Sequence, residues 1–295
     1  MRSVGRLAVA AVLAVAFGTL AVTEGALHPP RRDLPLTAAA DRLARNTGSD
    51  WDEASVTAGD GVVLKAWRFT SLRPNGGAVI LLHGVADTRM GMMAHAEFLL
   101  QHGYTVLLPD LRGSGASGGM VTYGLREARD VHTWADWLLR DPSLKRLYGI
   151  GQSLGGAVLI QSLATEPRFR AIVADCPYAT FKEIAYDRLH QIGRLPEPLF
   201  WPIIEEGFLY TDVRYGLDLT RASPLAAIRA THTPVLLIHG LLDTNIPPRH
   251  SQELAAANPR ATQLWLVPGA GHVQSLSVEG AQYVRRVVSW FEEHR

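Results

Sequence analysis

The chain has 295 residues, of which 47% are hydrophobic and 19% are charged, and its formal net charge is +1. This apolar content can supply a sizeable core and excludes a wholly disordered chain. The near-neutral charge argues against nucleic-acid binding, which requires clustered Lys and Arg. The single cysteine, Cys176, excludes an intramolecular disulfide and a cysteine-rich zinc site.

The N-terminal segment has the pattern of an export signal. Residues 1–23 contain Arg2 and Arg6 but no acidic residue, and Leu7–Val22 is apolar or small throughout. The run is shorter than the roughly 20 residues that span a bilayer comfortably. It therefore predicts either a signal peptide, with small residues that suit a cut after Ala21, or a retained membrane anchor. A buried N-terminal core helix is the third alternative.

A tether and a globular body follow this segment. Residues 24–50 contain two adjacent prolines, which cannot lie inside a helix, and we interpret this stretch as a tether. The body, 51–295, opens with a predicted β-hairpin. Its strands, Ala54–Ala58 and Val62–Phe69, flank an Asp-Gly pair that is typical of a tight turn.

Short apolar runs then alternate with helical patterns. The predicted strands are Ala78–Leu82, Tyr104–Leu108, Arg146–Ile150, Ala171–Ala174, Val235–Ile238 and Gln263–Val267. The predicted helices are Met92–His102, Leu125–Arg140, Leu154–Thr165, Pro248–Asn258 and a last one whose inward face is Val278, Ala281, Val284 and Val288. This alternation predicts an α/β fold with a mostly parallel central sheet and helices on both faces.

One stretch interrupts the alternation, because about sixty residues separate the strands that end at Ala174 and begin at Val235. We predict a small helical cap insertion over 178–223, at the carboxyl end of a strand, where open α/β sheets bind ligands. Its aromatic residues are candidates for substrate binding: Phe181, Tyr186, Phe200, Trp201 and Phe208. They either line an apolar pocket or form the core of the cap itself.

A Gly-x-Ser-x-Gly motif lies between a predicted strand and a predicted helix. It reads Gly151-Gln152-Ser153-Leu154-Gly155. A nucleophilic serine needs a sharp strand-to-helix turn so that its hydroxyl stands clear of the sheet, and flanking glycines relieve backbone crowding there. The helix N-terminus supplies a positive dipole and free N–H groups for an oxyanion.

From about Ala54 to the C-terminus the chain resembles the α/β-hydrolases. The resemblance rests on five blocks in the order of that family: His83-Gly84, Pro109-Asp110-Leu111-Arg112-Gly113-Ser114-Gly115, the serine motif, Gly240-Leu241-Leu242-Asp243 and Gly269-Ala270-Gly271-His272. Within the family the chain is similar to exported or membrane-anchored serine hydrolases. The resemblance implies an α/β-hydrolase domain and a serine nucleophile.

Ser153, Asp243 and His272 stand in the nucleophile–acid–base order of this fold. We expect His272 to accept the proton of Ser153 and Asp243 to orient the imidazole. Asp175 is the alternative acid, because it ends the strand after the serine motif. The expected oxyanion donors are the backbone N–H groups of Leu154, after the nucleophile, and of Val85, after His83-Gly84.

The expected reaction is hydrolysis of a carboxylic ester through a Ser153 acyl-enzyme, without a metal or a cofactor. The sequence has no H-E-x-x-H motif and no phosphate-binding P-loop. The alternatives are a peptidase or amidase with the same triad, a non-catalytic binding protein and, least favoured, dehalogenase-like or cofactor-free oxidative chemistry. We expect a small ester or short peptide as substrate, no nucleic acid, and membrane attachment, if any, through residues 7–22.

Overall fold

The computed structural model describes residues 16–32, 37–192 and 200–295, which contain a central sheet of eight strands flanked by helices. The strands are β1 (Ser49–Thr57), β2 (Val63–Ser71), β3 (Gly77–Leu82), β4 (Thr105–Pro109), β5 (Arg146–Gln152), β6 (Phe169–Asp175), β7 (Val235–Gly240) and β8 (Thr262–Val267). The helices are α1 (16–27), α2 (Ala38–Thr47), α3 (Met93–Gln101), α4 (Glu127–Leu138), α5 (Leu154–Ser162), α6 (Phe181–Ile192), α7 (Phe200–Tyr215), α8 (Pro224–Ala230), α9 (Arg249–Ala257) and α10 (Ser275–Glu293).

The strand order is β1-β2-β4-β3-β5-β6-β7-β8. Strand β2 runs antiparallel to β1 and to β4, and every other neighbouring pair is parallel. The predicted hairpin is therefore confirmed, as is the mostly parallel sheet. Because the strands from β3 to β8 all point the same way, the loops after β5, β6, β7 and β8 meet at one edge of the sheet.

Each face of the sheet carries its own hydrophobic cluster. Alternate residues of β3 point to opposite sides, so Ile80 and Leu82 join one cluster while Val79 and Leu81 join the other. Helices α4, α5, α8 and α9 cover the first face, and α2, α3 and α10 cover the second. Since both faces are buried, β3 is apolar at five of its six positions rather than alternating.

The last helix departs from the predicted pattern. Gly280 has φ 40 and ψ −107, which kinks α10 near its start and shifts the phase of the residues beyond it. The prediction of Val278 and Ala281 as inward residues is wrong, since the Val278 side chain is 47% exposed and Ala281 is also exposed. The buried positions beyond the kink include Tyr283, Val287 and Phe291, at steps of four.

The described part of the predicted cap consists of helices α6 and α7 and a short 3-10 turn at Leu219–Arg221. Residues 193–199 of the predicted cap are not among the described residues. Helix α1 packs against α7. A Cβ at Gly207 would lie 2.9 Å from Thr23 Oγ1, so α7 has a glycine where the helices meet. The predicted tether, 24–50, includes the end of α1 and all of α2.

Residues 1–15 of the predicted export segment lie outside the described residues. Among the helices that the structure does describe, none has the length and apolar content needed to cross a membrane. The division of the chain at residues 23 and 50 stays a prediction.

Candidate active site

Ser153 lies on the sharp turn between β5 and α5. Its backbone has φ 53 and ψ −118, a conformation that residues with a side chain rarely adopt. The Ser153 N–H donates to the carbonyl of Asp175 at 2.8 Å, which ties the turn to the end of β6. This geometry lifts the hydroxyl away from the sheet toward the loops that follow β7 and β8.

The two glycines of the motif are required by close backbone contacts. A Cβ at Gly151 would lie 2.3 Å from the carbonyl oxygen of Gly155. A Cβ at Gly155 would lie 2.2 Å from the carbonyl oxygen of Leu82 in β3. Because these neighbours are backbone atoms and cannot rotate away, any side chain at either position would displace the turn.

The structure brings together the three predicted catalytic side chains. Ser153 Oγ lies 3.0 Å from His272 Nε2, and His272 Nδ1 lies 2.7 Å from Asp243 Oδ2. An ionised carboxylate only accepts, so the His272 Nδ1–H donates to Asp243 and Nε2 is left to accept the serine proton. The Asp243 side chain is fully buried, and that of His272 is 18% exposed.

The Asp243 carboxylate is held from four directions. Its Oδ1 accepts the backbone N–H groups of Asn245 and Ile246, both at 2.9 Å. Its Oδ2 faces His272 and also lies 3.3 Å from His239 Nε2. Burial alone would raise the pKa of Asp243, but hydrogen bonds from His239, His272 and Ile246 outweigh it and hold that pKa well below its usual range. The acid therefore stays ionised.

Asp175, the alternative acid, has different partners. Its Oδ1 accepts from Ser275 Oγ at 3.1 Å and from Cys176 Sγ at 3.3 Å, and Oδ2 has no partner among the described residues. Burial raises the pKa of Asp175 to about 6, against the opposing hydrogen bonds. His272 is hydrogen-bonded to Asp243 and not to this carboxyl.

The two predicted oxyanion donors flank the serine. A Cβ at Gly84 would lie 3.4 Å from Ser153 Cβ, so the backbone that leads into Val85 passes directly beside the nucleophile. Leu154 is the first residue of α5, where a helix has no internal acceptor for its N–H groups. Both Val85 and Leu154 line the cavity that contains Ser153.

His83 fixes the loop that carries Val85. Its Nδ1–H donates to the carbonyl of Gly84 at 2.7 Å, and its Nε2 accepts the N–H of Leu111 at 3.0 Å. The ring is completely buried, and burial lowers its pKa, so it is neutral and uses both nitrogens. His83 thus braces the loop that carries Val85, and both of its ring nitrogens are engaged in hydrogen bonds.

A cavity of about 230 Å³ opens beside Ser153 beneath the cap. Its walls come from the turn that carries Ser153, from α6 and α7 and from α1, and most of the lining is aliphatic or aromatic. Arg188 is the one charged residue among the described lining residues. Its Nη1 donates to Gln191 Oε1 at 3.0 Å and to Asn245 Oδ1 at 3.2 Å.

Two of the five predicted substrate-binding aromatics line this cavity, namely Phe181 and Phe208. The prediction is wrong for the other three, which do not line this cavity. Tyr186 and Phe200 pack against each other with ring centroids 5.9 Å apart. Trp201 is 55% exposed, and Lys182 Nζ lies 4.1 Å from its ring centroid. The cap aromatics therefore serve both as pocket lining and as the cap's own packing.

Sequence reasoning missed much of the cavity wall. The lining residues it did not name are Thr19, Val22, Thr23, Ala26, Leu27, Tyr123, Tyr178, Ile184, Ala185, Arg188, Leu189, Ile203, Ile204, Gly207, Leu219 and Ile246. Tyr178 carried a usable signal, because it follows the end of β6 by three positions. The residues of α1 carried none, because their apolar run has the composition of a leader peptide.

Donor atoms of Cys176, Asp243 and His272 lie within 4.8 Å of one another, a spacing that a metal ion could use. The chemistry of the set fits poorly. Burial raises the pKa of the Cys176 thiol, and the facing atoms of Asp243 and His272 already share a hydrogen bond. A metal would have to break the contact that orients His272 toward Ser153.

Comparisons with known proteins identify the family and the fold of this chain. The family model of the prolyl oligopeptidase family matches residues 90–295. The chain is 29% identical over 218 residues to the uncharacterized protein YqkD of Bacillus subtilis, covering 72% of this chain and 70% of that protein. It is 27% identical over 281 residues to the uncharacterized peptidase YuxL of the same organism, covering 88% of this chain and 41% of YuxL.

Among solved structures, the esterase Pf2001 of Pyrococcus furiosus superposes with a TM-score of 0.74 at 26% identity, covering 91% of this chain and 99% of that chain. The fold is thus that of the α/β-hydrolases, as predicted. The family model spans well over half of the sequence, and the serine motif lies inside the matched region. The chain therefore belongs to the prolyl oligopeptidase family and is a serine hydrolase of the α/β-hydrolase type.

Proposed function

We propose that the protein hydrolyses carboxylic esters with an apolar acyl group of modest size. The observation that carries this proposal is the cavity beside Ser153: it measures about 230 Å³, its lining is mostly apolar, and none of the described residues that line it is acidic. An uncharged acyl chain gains free energy by leaving water for such a cavity, whereas a charged group would have to give up its hydration.

In the first half of the reaction, Ser153 Oγ attacks the ester carbonyl carbon while His272 Nε2 takes the hydroxyl proton. Asp243 stabilises the imidazolium that forms. The negative carbonyl oxygen accepts hydrogen bonds from the N–H groups of Val85 and Leu154, each worth about 2.7–4 kcal/mol in the transition state. The carbon–oxygen bond to the alcohol then breaks, and His272 returns its proton to the leaving alkoxide.

In the second half, water attacks the acyl-enzyme. His272 takes a proton from the water as it adds to the acyl carbon, and the same two N–H groups hold the second oxyanion. The bond to Ser153 Oγ then breaks, and the imidazolium protonates the serine oxygen. The carboxylic acid leaves and the enzyme returns to its starting state, so neither metal nor cofactor is needed to balance the reaction.

The family match and the similarity to YuxL favour a peptide substrate instead. A peptide with a free amino terminus near the scissile bond brings an ammonium group, which needs a carboxylate partner when it leaves water. The one charged group among the described lining residues is the Arg188 guanidinium, a cation that repels an ammonium group and attracts an anion. We therefore favour an ester, consistent with the resemblance to the esterase Pf2001.

The test is a substrate panel of p-nitrophenyl esters of increasing acyl length beside aminoacyl and peptidyl anilides. We expect higher kcat/KM values for the esters than for any anilide, and loss of hydrolysis in Ser153→Ala. Anilides cleaved with the larger kcat/KM would overturn the ester assignment in favour of the peptidase. A folded wild-type protein that neither cleaves the panel nor reacts with a fluorophosphonate at Ser153 would contradict a catalytic role.

We further infer, from the basic start and the apolar run Leu7–Val22, that the chain is exported. Fractionation of cells that produce the full chain tests this. Recovery from the membrane or from outside the cytoplasm is expected, and recovery from the cytoplasm alone would overturn it.

A further inference from the structure

Helix α1 forms one wall of the cavity that contains Ser153. Its residues that line the cavity share one side of the helix and are Thr19, Val22, Thr23, Ala26 and Leu27. They recur at steps of three and four, with two adjacent pairs, Val22–Thr23 and Ala26–Leu27, which is the spacing of a single helical face. The N-terminal segment therefore contributes a face to the site where the acyl group of the proposed substrate would lie.

The contact between α1 and the cap is specific. Glu24 Oε1 accepts hydrogen bonds from the hydroxyl groups of Tyr210 at 2.5 Å and Tyr215 at 2.7 Å. These bonds lower the pKa of Glu24, so its carboxylate stays ionised and both tyrosines remain donors. Both tyrosines belong to α7, and the missing side chain of Gly207 lets Thr23 approach the same helix.

The end of α1 is bonded to the body of the protein. The carbonyl of Ala26 accepts from the Tyr123 hydroxyl at 2.9 Å, and the carbonyl of Leu27 accepts from the Val121 N–H at 3.0 Å. Carbonyls at a helix C-terminus have no partner within the helix, so these two bonds fix where α1 stops. The Leu27 side chain is fully buried in the cluster that also contains α5.

We propose that α1 is a permanent wall of the acyl site, that the mature enzyme keeps it, and that its face limits the length of acyl chain accepted. The proposal rests on the proposed ester hydrolysis for the identity of the ligand, but its structural part does not. Cutting after Ala21 would remove Thr19 and half of the described residues of α1, and would open the cavity to water on that side. Of the three alternatives for the N-terminal segment, the cleaved signal peptide would therefore disrupt the site, and the two that retain the segment keep it intact.

The first test compares two matched substitutions in the full chain. Ala26→Phe places a ring on the cavity face of α1, and Ala21→Phe places the same ring at an exposed position that does not line the cavity. The probes are an ethyl and an octyl fluorophosphonate, whose rates of reaction with Ser153 are measured for each variant. We expect Ala26→Phe to lower the octyl-to-ethyl rate ratio by about 10-fold or more, and Ala21→Phe to leave it within about 2-fold.

A second substitution on the cavity face keeps the test informative if the Ala26→Phe variant does not fold. Val22 lines the cavity but is 57% exposed, so Val22→Phe can extend toward the mouth without disturbing the core. It should lower the same ratio, by less than Ala26→Phe does. An unchanged ratio in a folded Val22→Phe or Ala26→Phe variant would overturn the proposal that α1 limits the length of the acyl chain. The fluorophosphonate probes react with Ser153 whether or not the protein hydrolyses esters. Failure of the ester panel alone would therefore contradict the proposed function but not the proposed role of α1.

The second test is the mass of the mature protein purified from its native cells. We expect an N-terminus no later than residue 16, so that every described residue of α1 is present. A mature, active chain that begins at Val22 or beyond, with the same octyl-to-ethyl ratio as the full chain, would overturn the proposal.

Discussion

The catalytic edge of the sheet, which carries Ser153, Asp243 and His272, differs in construction from the roof over it, which consists of α1, α6 and α7. Backbone atoms hold the catalytic edge: the Ser153 N–H donates to Asp175, and two backbone N–H groups hold the Asp243 carboxylate. Side chains hold the three helices of the roof together, through Glu24 with its two tyrosines and through packed rings, and backbone carbonyls take part at the end of α1. Small changes should therefore damage the edge severely but only reshape the roof.

The largest effect should come from the acid of the catalytic edge. Asp243→Asn puts an amide where the carboxylate accepts the His272 Nδ1–H, and the amide N–H₂ group can instead force the proton onto Nε2. We expect kcat to fall by about 10⁴-fold, with little change in the circular dichroism spectrum. The measurement is steady-state hydrolysis of the best ester from the panel.

Asp175→Asn is the matched control, because Asp175 ends the neighbouring strand and its carboxyl does not bond His272. Its kcat should stay within about 10-fold of wild type. If Asp175→Asn abolished turnover while Asp243→Asn was mild, the assignment of the orienting acid would be wrong.

The raised pKa of the buried Asp175 carboxyl should make the stability of the fold depend on pH. This pKa is about 6 in the folded protein and 3.8 when unperturbed, so in the folded state the carboxyl keeps a proton that the unfolded chain has already lost. The group stabilises the fold fully below about pH 4, and this contribution disappears as pH rises through 6. The linked free energy is ~3 kcal/mol.

Denaturant titrations of wild type and Asp175→Asn between pH 4 and 7 measure this contribution. The free energy of unfolding of wild type, relative to the variant, should fall by ~2 kcal/mol over that interval, which is most of the linked free energy. A difference that is flat or rises with pH would contradict the buried, proton-binding carboxyl.

The catalytic edge could be predicted from the sequence because each element has a local signature. A Cβ at Gly151 or Gly155 would lie 2.2–2.3 Å from a backbone oxygen, so the turn that carries Ser153 requires glycine at both positions, and this requirement is visible in the sequence as a motif. The mostly parallel sheet could be predicted equally well, since strands buried on both faces are continuously apolar.

The roof lacks such signatures. An apolar run that lines a pocket and an apolar run of a leader peptide have the same composition, so α1 could be identified only from its contacts. Spacing along a helix also depends on an unbroken phase, and the kink at Gly280 shows how one residue changes which side of α10 is buried. Likewise, composition alone could not tell Phe208, which lines the cavity, from Trp201, which does not.

The smallest expected effect tests that last distinction. Phe208 contributes apolar surface to the cavity in which we propose that the acyl group lies. Phe208→Ala should therefore lower kcat/KM for a p-nitrophenyl octanoate by about 10-fold and for the acetate by less than about 2-fold. Trp201→Ala removes a larger side chain from α7, but one that is 55% exposed and outside the cavity, and it should leave the ratio of the two esters unchanged. Because Phe208 also packs against Phe181, a melting curve accompanies each assay, and Phe208→Leu replaces the alanine variant if that one unfolds. A change in the ratio with Trp201→Ala, or none with either folded Phe208 variant, would mean that the acyl chain binds outside this cavity.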